Sequence, residues 1–120
     1  MILFLDDIRD IKLITSQAYR AMFNLEYYTN TQLEILRKNI RKNSFLVKTY
    51  QEAINFVEKE IPEMIFFDHD LGDGETGYDF LKYVCNKDVF FEAYFHSANP
   101  VGRFNMENYY YNWVKSQGWL

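Results

Sequence analysis

The stretch Met64-Ile65-Phe66-Phe67-Asp68-His69-Asp70-Leu71-Gly72 decides the fold class of this chain. Its first four residues form an apolar run and Gly72 opens a Gly-Asp-Gly turn, a pattern that predicts a buried strand ending in a tight loop. Three ionisable side chains, Asp68, His69 and Asp70, follow directly where that strand ends. Because charged groups are costly to place beside a buried strand, this triplet is a candidate functional site.

Two other apolar runs end in polar residues in the same manner. The run over 2–5 predicts a first strand that is followed by Asp6 and Asp7, and the run over 90–95 predicts a last strand that is followed by His96 and Ser97. A shorter strand is predicted over 45–47. Apolar spacing and capping residues predict helices over about 11–24 and 31–42, after Thr49, after Thr76, and after Asn99.

Strands that alternate with helices at this spacing predict an α/β fold with a parallel sheet of about four strands between two layers of helices. In such sheets the ligand lies at the carboxyl ends of the strands. The topology therefore brings the three polar strand ends together, although they are far apart in the sequence. We expect this edge of the sheet to be the functional site.

Composition limits the classes of partner. A chain of 120 residues with a formal net charge of −4 and one cysteine predicts a single domain, 1–120, in a reducing, cytoplasmic setting. The acidic balance argues against a long nucleic-acid groove and against an anionic membrane surface. The N-terminal apolar run is not preceded by basic residues, so we expect no signal peptide. Tyr109-Tyr110-Tyr111 and Trp113 predict either packing of the final helix or a surface for homo-oligomerisation.

Carboxylates that share one edge repel each other, and a bound divalent cation relieves that repulsion. We expect Asp6, Asp7 and Asp68 to be the metal ligands, with Mg²⁺ as the first candidate and Mn²⁺ as the second because histidines are near. The segment over 99–103 offers backbone amides and the Arg103 guanidinium at a helix N-terminus, which predicts a phosphate-binding site.

Four blocks of the chain resemble, in order, the motifs of the cyclic-phosphate processing receiver domain family, a relative of the receiver domains of response regulators. The blocks are Leu3-Phe4-Leu5-Asp6-Asp7-Ile8-Arg9, Val47-Lys48-Thr49-Tyr50-Gln51-Glu52-Ala53, Phe67-Asp68-His69-Asp70-Leu71-Gly72 with Thr76-Gly77-Tyr78-Asp79, and His96-Ser97-Ala98-Asn99-Pro100-Val101-Gly102-Arg103-Phe104-Asn105-Met106. The resemblance implies a receiver-like, flavodoxin-like sheet. Residues 10–44 look like a helical insertion. We also expect no fifth strand, and therefore not the phosphate-binding lysine that ends this strand in ordinary receiver domains.

The resemblance implies hydrolysis of a cyclic phosphate, either an RNA 2′,3′-cyclic end or a small cyclic nucleotide. A metal on Asp6, Asp7 and Asp68 would polarise the phosphate and activate water. His69 or His96 would supply the proton to the leaving oxygen, and Asp70 would orient a histidine ring. The expected phosphate-binding residues are Arg9, Ser97, Asn99, Gly102, Arg103 and Asn105.

Two alternatives come from other functional classes. In the first, the protein is a receiver domain that accepts a phosphoryl group on Asp68; the missing lysine and the two histidines count against it. In the second, it is a non-catalytic module that sequesters a nucleotide or inhibits a partner protein through residues 10–44 and the aromatic final helix. The second alternative predicts ligand binding without turnover.

Overall fold

The computed structural model describes residues 1–7, 29–72 and 74–120. Over these residues four strands alternate with four helices. The elements are β1 (Ile2–Leu5), α1 (Asn30–Asn43), β2 (Ser44–Val47), α2 (Tyr50–Lys59), β3 (Met64–Phe67), α3 (Gly77–Cys85), β4 (Glu92–Phe95) and α4 (Pro100–Ser116). The helix predicted over 11–24 lies outside the described residues.

The four strands form one parallel sheet in the order β2-β1-β3-β4. Leu5 is level with Val47 on one side and with Phe67 on the other, and Phe67 is level with Phe95. All four strands therefore end at the same height. The strand order reverses between β1 and β3, and open parallel sheets bind their ligands at such a switch point. The predicted receiver-like α/β class is confirmed.

Alternation along the strands divides the core into two layers. The odd-numbered side chains, including Leu5 and Phe67, pack with helices α2, α3 and α4. The even-numbered side chains Phe4 and Phe66 pack on the other face with Leu33 of α1. The helices on both faces explain why strand residues 2–5 and 65–67 are apolar without interruption, as expected of a sheet that is covered on both sides.

The helix starts follow the capping signals in the sequence. Thr76 and Asp79 form a reciprocal capping box at α3: the Thr76 hydroxyl accepts the Asp79 amide, and the Asp79 carboxylate accepts the Thr76 amide. The Asn99 side chain caps α4, and Pro100 is its first residue. Both predicted caps are confirmed, and both lie beside the carboxyl edge of the sheet.

The last strand differs from its prediction. It begins at Glu92, whose amide donates to the carbonyl of Glu63 at 2.8 Å, and not at Phe90. The Phe90 side chain is 53% exposed and packs edge-on against Trp119. Phe90 is therefore apolar because it packs near the chain end, and not because it belongs to a strand. An apolar run in the sequence looks the same in both cases.

The aromatic residues of α4 are divided between the core and the surface. Tyr110 and Trp113 pack against Phe91, whereas Tyr111 is 53% exposed. Tyr109 is partly buried against the same core. Core packing thus accounts for three of the four aromatic residues, and self-association stays a prediction for the outer face. None of the helices in the described part of the chain is long and apolar enough to cross a membrane.

Candidate functional site

Asp6, Asp68 and His96 meet at the carboxyl edge of the sheet. They directly follow β1, β3 and β4, which are neighbours in the sheet. All three residues are buried, with exposed fractions of 0%, 7% and 5%. One ligand atom from each residue lies within 4.8 Å of the other two. The three strand ends therefore converge, as the sequence predicted.

The alternation of side chains explains why these three residues meet. Each continues the even-numbered face of its strand, after Phe4 and Phe66 in two cases. The His96 ring stacks on the Phe4 ring, with 4.7 Å between centroids and an interplanar angle of 9°. The apolar face of the sheet thus fixes the plane of the imidazole ring.

Asp6 and His96 also contact each other directly. The distance from His96 Nε2 to Asp6 Oδ2 is 3.0 Å, and the two side chains are 0% and 1% exposed. On the neighbouring strand, Asp68 Oδ1 accepts the backbone amide of His69 at 2.8 Å. One oxygen of each carboxylate is therefore oriented by the protein. Two carboxylate oxygens and an imidazole nitrogen are a donor set that suits a divalent cation such as Mg²⁺, Mn²⁺ or Zn²⁺.

Asp7 does not belong to this group. Only Asp6 of the two neighbouring aspartates has a ligand atom close to those of Asp68 and His96. Asp7 Oδ2 lies 3.3 Å from the position that a Cβ would take on Gly72, whose φ is +74°. Asp7 Oδ1 is buried and has no hydrogen-bond partner among the described residues. The residue that joins Asp6 and Asp68 is His96, which the sequence analysis placed among the proton donors.

His69 occupies a separate position beside the first turn of α4. Its Nδ1 lies 2.9 Å from Asp70 Oδ1, and the two side chains are 17% and 65% exposed. The ring lies so close to Gly102 that a Cβ there would be 2.5 Å from Cδ2 and 2.8 Å from Nδ1. Asp70 therefore contacts a histidine ring, and Gly102 allows that ring to approach the helix.

Several predicted phosphate-binding residues take part in local structure. The Ser97 hydroxyl accepts the amide of Asn99 at 3.1 Å, and Asn99 Oδ1 accepts the amide of Gly102 at 3.0 Å. Arg103 Nε donates to Glu107 Oε1 at 2.8 Å, with both side chains about half exposed. The Gly102 amide is thus already used by the helix cap. Arg103 and Asn105 are exposed, and Arg9 lies outside the described residues.

Gly77 is a site residue that the sequence analysis did not single out. Its amide donates to the carbonyl of His69 at 2.8 Å. A Cβ on Gly77 would overlap the carbonyl oxygen of Asp68, so only glycine allows α3 to start against this strand end. The signal was present in the sequence as a glycine directly after the helix-capping Thr76.

Other carboxylates add negative charge to this edge. The pKa of Tyr50, the first residue of α2, is raised by burial and further by the charges of Glu75 and Asp79. The hydrogen bond from the Thr76 amide holds the pKa of Asp79 below its ordinary value, so that this carboxylate stays ionised. Negative charge therefore lies where α2 and α3 begin, at the carboxyl end of the sheet.

One protein family matches most of the chain. The model of the cyclic-phosphate processing receiver domain matches residues 1–112, which include every residue of the site described above. Neither the curated proteins nor the solved structures gave a match.

Proposed function

The chain belongs to the cyclic-phosphate processing receiver domain family, and we propose that it hydrolyses a cyclic phosphodiester with the help of a divalent cation. The observation that carries the proposal is the buried group of Asp6, Asp68 and His96. Two neighbouring carboxylates in a buried position repel each other and lose hydration. Those costs favour a cation as the natural occupant.

In this proposal Asp6, Asp68 and His96 hold Mg²⁺ or Mn²⁺. The bound cation would withdraw charge from the phosphate and lower the pKa of a water molecule that attacks phosphorus. Asp6 orients His96 through the 3.0 Å contact, and the His69 amide orients Asp68 through the 2.8 Å hydrogen bond. Ligands that are already oriented lose little freedom when they bind an ion.

The family and the site together support one class of substrate. We propose a small cyclic nucleotide or the 2′,3′-cyclic end of an RNA, which presents one negative charge on a strained diester ring. Arg103 and Asn105 are exposed on the first turns of α4 and can donate to the non-bridging oxygens. Water attacks phosphorus, one ring P–O bond breaks, and the leaving oxygen takes a proton, which yields a phosphomonoester.

The test incubates the protein with Mg²⁺ or Mn²⁺ and a panel of cyclic mononucleotides, cyclic dinucleotides and RNA with a 2′,3′-cyclic end, followed by chromatography. We expect ring opening of at least one substrate, and a loss of at least about 100-fold in Asp68→Asn. Asp88→Asn is the matched control, because it removes one carboxylate between α3 and β4, outside the Asp6, Asp68 and His96 group. Asn also tolerates the positive φ of 56° at this position.

The remaining outcomes each decide against the proposal. Tight binding of a cyclic nucleotide without turnover would support the non-catalytic module instead. Transfer of phosphate from a small phosphodonor to Asp68, detected as an acid-stable mass increase that hydroxylamine removes, would support a phosphoacceptor. Equal turnover by the wild type and Asp68→Asn would exclude this group as the catalytic centre.

A further inference from the structure

We propose that His69, and not His96, gives the proton to the leaving oxygen, and that Gly102 and Asp70 are its positioning residues. The proposal rests on the proposed function, since it assigns roles within that reaction. It also gives Gly102 a different role from the phosphate binding that its place at a helix N-terminus predicts.

The two histidines differ in what they are able to reach. The His96 side chain is 0% exposed, its Nε2 contacts Asp6, and its ring is stacked on Phe4. The His69 side chain is 17% exposed, and its contact with Asp70 uses Nδ1. A proton donor must come within hydrogen-bond distance of the substrate. His69 is the more exposed of the two rings, and its contact with Asp70 does not use Nε2.

Two contacts hold the His69 ring from different sides. The Asp70 carboxylate accepts from Nδ1, which keeps the hydrogen on that nitrogen and leaves Nε2 for transfer. The backbone of Gly102 forms the surface against which the ring lies. Any side chain at position 102 would have to push the ring away, because a Cβ would be 2.5 Å from Cδ2. Gly102 also lies on α4, so the ring is positioned by a regular element as well as by its own loop.

His69 is also tied to the cation-binding group through the backbone. Its amide donates to Asp68 Oδ1, and its carbonyl accepts the amide of Gly77. The proposed donor and the proposed ligand are therefore neighbours at one strand end, which these two hydrogen bonds hold in place. In an in-line displacement the leaving oxygen lies opposite the attacking water. A phosphate over Asp68 that water attacks from the side away from His69 therefore has its leaving oxygen on the side of this histidine.

In the proposed step His69 protonates the ribose oxygen that leaves phosphorus. Water oxygen forms a bond to phosphorus while the bond from phosphorus to one ribose oxygen breaks. That ribose oxygen takes the proton from His69 Nε2 and leaves as a hydroxyl group, and the histidine becomes neutral with its hydrogen on Nδ1. The attacking water releases a proton to solvent, and solvent returns one to Nε2.

The experiment compares two substrates that differ in their need for a proton. The first is a nucleoside 2′,3′-cyclic phosphate, and the second is its analogue with sulfur in place of the bridging 3′ oxygen, whose thiolate leaves without protonation. We expect His69→Ala to lower kcat about 100-fold to 10,000-fold on the oxygen substrate and less than about 10-fold on the sulfur analogue. His96→Ala should lower kcat on both substrates by the same factor.

The positioning residues are tested in a double-mutant cycle with His69. Gly102→Ala should lower kcat on the oxygen substrate about 10-fold to 100-fold with little change in KM, since displacing a catalytic group by about 1 Å has effects of that size. In the His69→Ala background the same substitution should have no further effect, because the ring that it displaces is gone. Asp70→Asn is a second variant that leaves α4 intact.

The outcomes separate the two proposals. Failure of the wild type to open either substrate overturns the proposed function. Turnover with equal losses on both substrates in His69→Ala overturns only the role of His69 as proton donor. If Gly102→Ala and Asp70→Asn each lower kcat as much without the His69 ring as with it, they are not positioning residues. Circular dichroism and a thermal melt of each variant identify losses caused by unfolding.

Discussion

The contact between His96 and Asp6 should couple the two residues far more strongly than a surface ion pair of the same length. Both side chains are at most 1% exposed, and their closest atoms are 3.0 Å apart. The pair of Lys87 and Glu58 has a nearly equal separation of 2.9 Å, but its side chains are 32% and 48% exposed. Burial is therefore the main difference between the two pairs.

The magnitude follows from this difference in burial. Removing one partner of a buried hydrogen bond costs about 1–3 kcal/mol, and more where the remaining group is charged. Exposed pairs contribute about 0.2–1 kcal/mol. We expect His96→Ala to lower the free energy of unfolding by about 4 kcal/mol, which also includes the loss of ring packing against Phe4. That is a large fraction of the 5–15 kcal/mol typical of a domain.

A double-mutant cycle isolates the coupling. Asp6→Ala, His96→Ala and the double variant are unfolded with urea in EDTA, and the same is done for Glu58→Ala with Lys87→Ala. Removal of Asp6 also relieves its repulsion by Asp68, but this contribution is the same in the single and double variants and cancels. We expect a coupling free energy of about 2 kcal/mol for the buried pair and below about 0.5 kcal/mol for the exposed pair. Equal couplings would refute the argument from burial.

Three further predictions follow from other parts of the molecule. Burial raises the pKa of the Cys85 thiol to about 12, so at pH 8 a disulfide reagent should react only as fast as the protein opens; rapid labelling of the native protein would contradict this burial. Asp79→Asn should lower the free energy of unfolding by about 0.5–1 kcal/mol at pH 7. This loss should vanish as the pH falls through the lowered pKa of Asp79 in the folded protein, because the side chain at this position is then neutral in the wild type as well as in the variant. A loss that stays constant down to about pH 2 would exclude the charge as its cause. Mn²⁺ at 100 times its dissociation constant should stabilise the wild type by about 2.7 kcal/mol and leave the melting temperature of Asp68→Asn unchanged, whereas equal shifts would place the ion elsewhere.

The positions of the strands and of the helix starts are largely predictable from the sequence. The run over 2–5 is apolar at every residue because β1 is covered on both faces. Thr76 and Asp79 identify the start of α3 because their capping contacts are local in the sequence. Convergence of Asp6, Asp68 and His96 also follows from a parallel sheet, since its strands end at one edge.

Predicting which residues form the group would have required the direction of each side chain. Asp6 and Asp7 are the same residue type, but only Asp6 joins Asp68 and His96. Neighbouring residues of a strand alternate between its two faces, and the two aspartates directly follow a strand. The alternation rule would have separated the two aspartates if the register had been known. The contact between His69 and Gly102 was not predictable, because it depends on how closely α4 packs against the loop after β3.

Asp6, Asp68 and His96 are proposed to form a cation-dependent centre that opens a cyclic phosphate. The most direct measurement follows a nucleoside 2′,3′-cyclic phosphate by ³¹P NMR with the wild type and Asp68→Asn, each in Mg²⁺ and then in excess EDTA. We expect the cyclic resonance to be replaced by a monoester resonance only for the wild type in Mg²⁺. Conversion that continues in EDTA, or that Asp68→Asn catalyses at the wild-type rate, would contradict the claim.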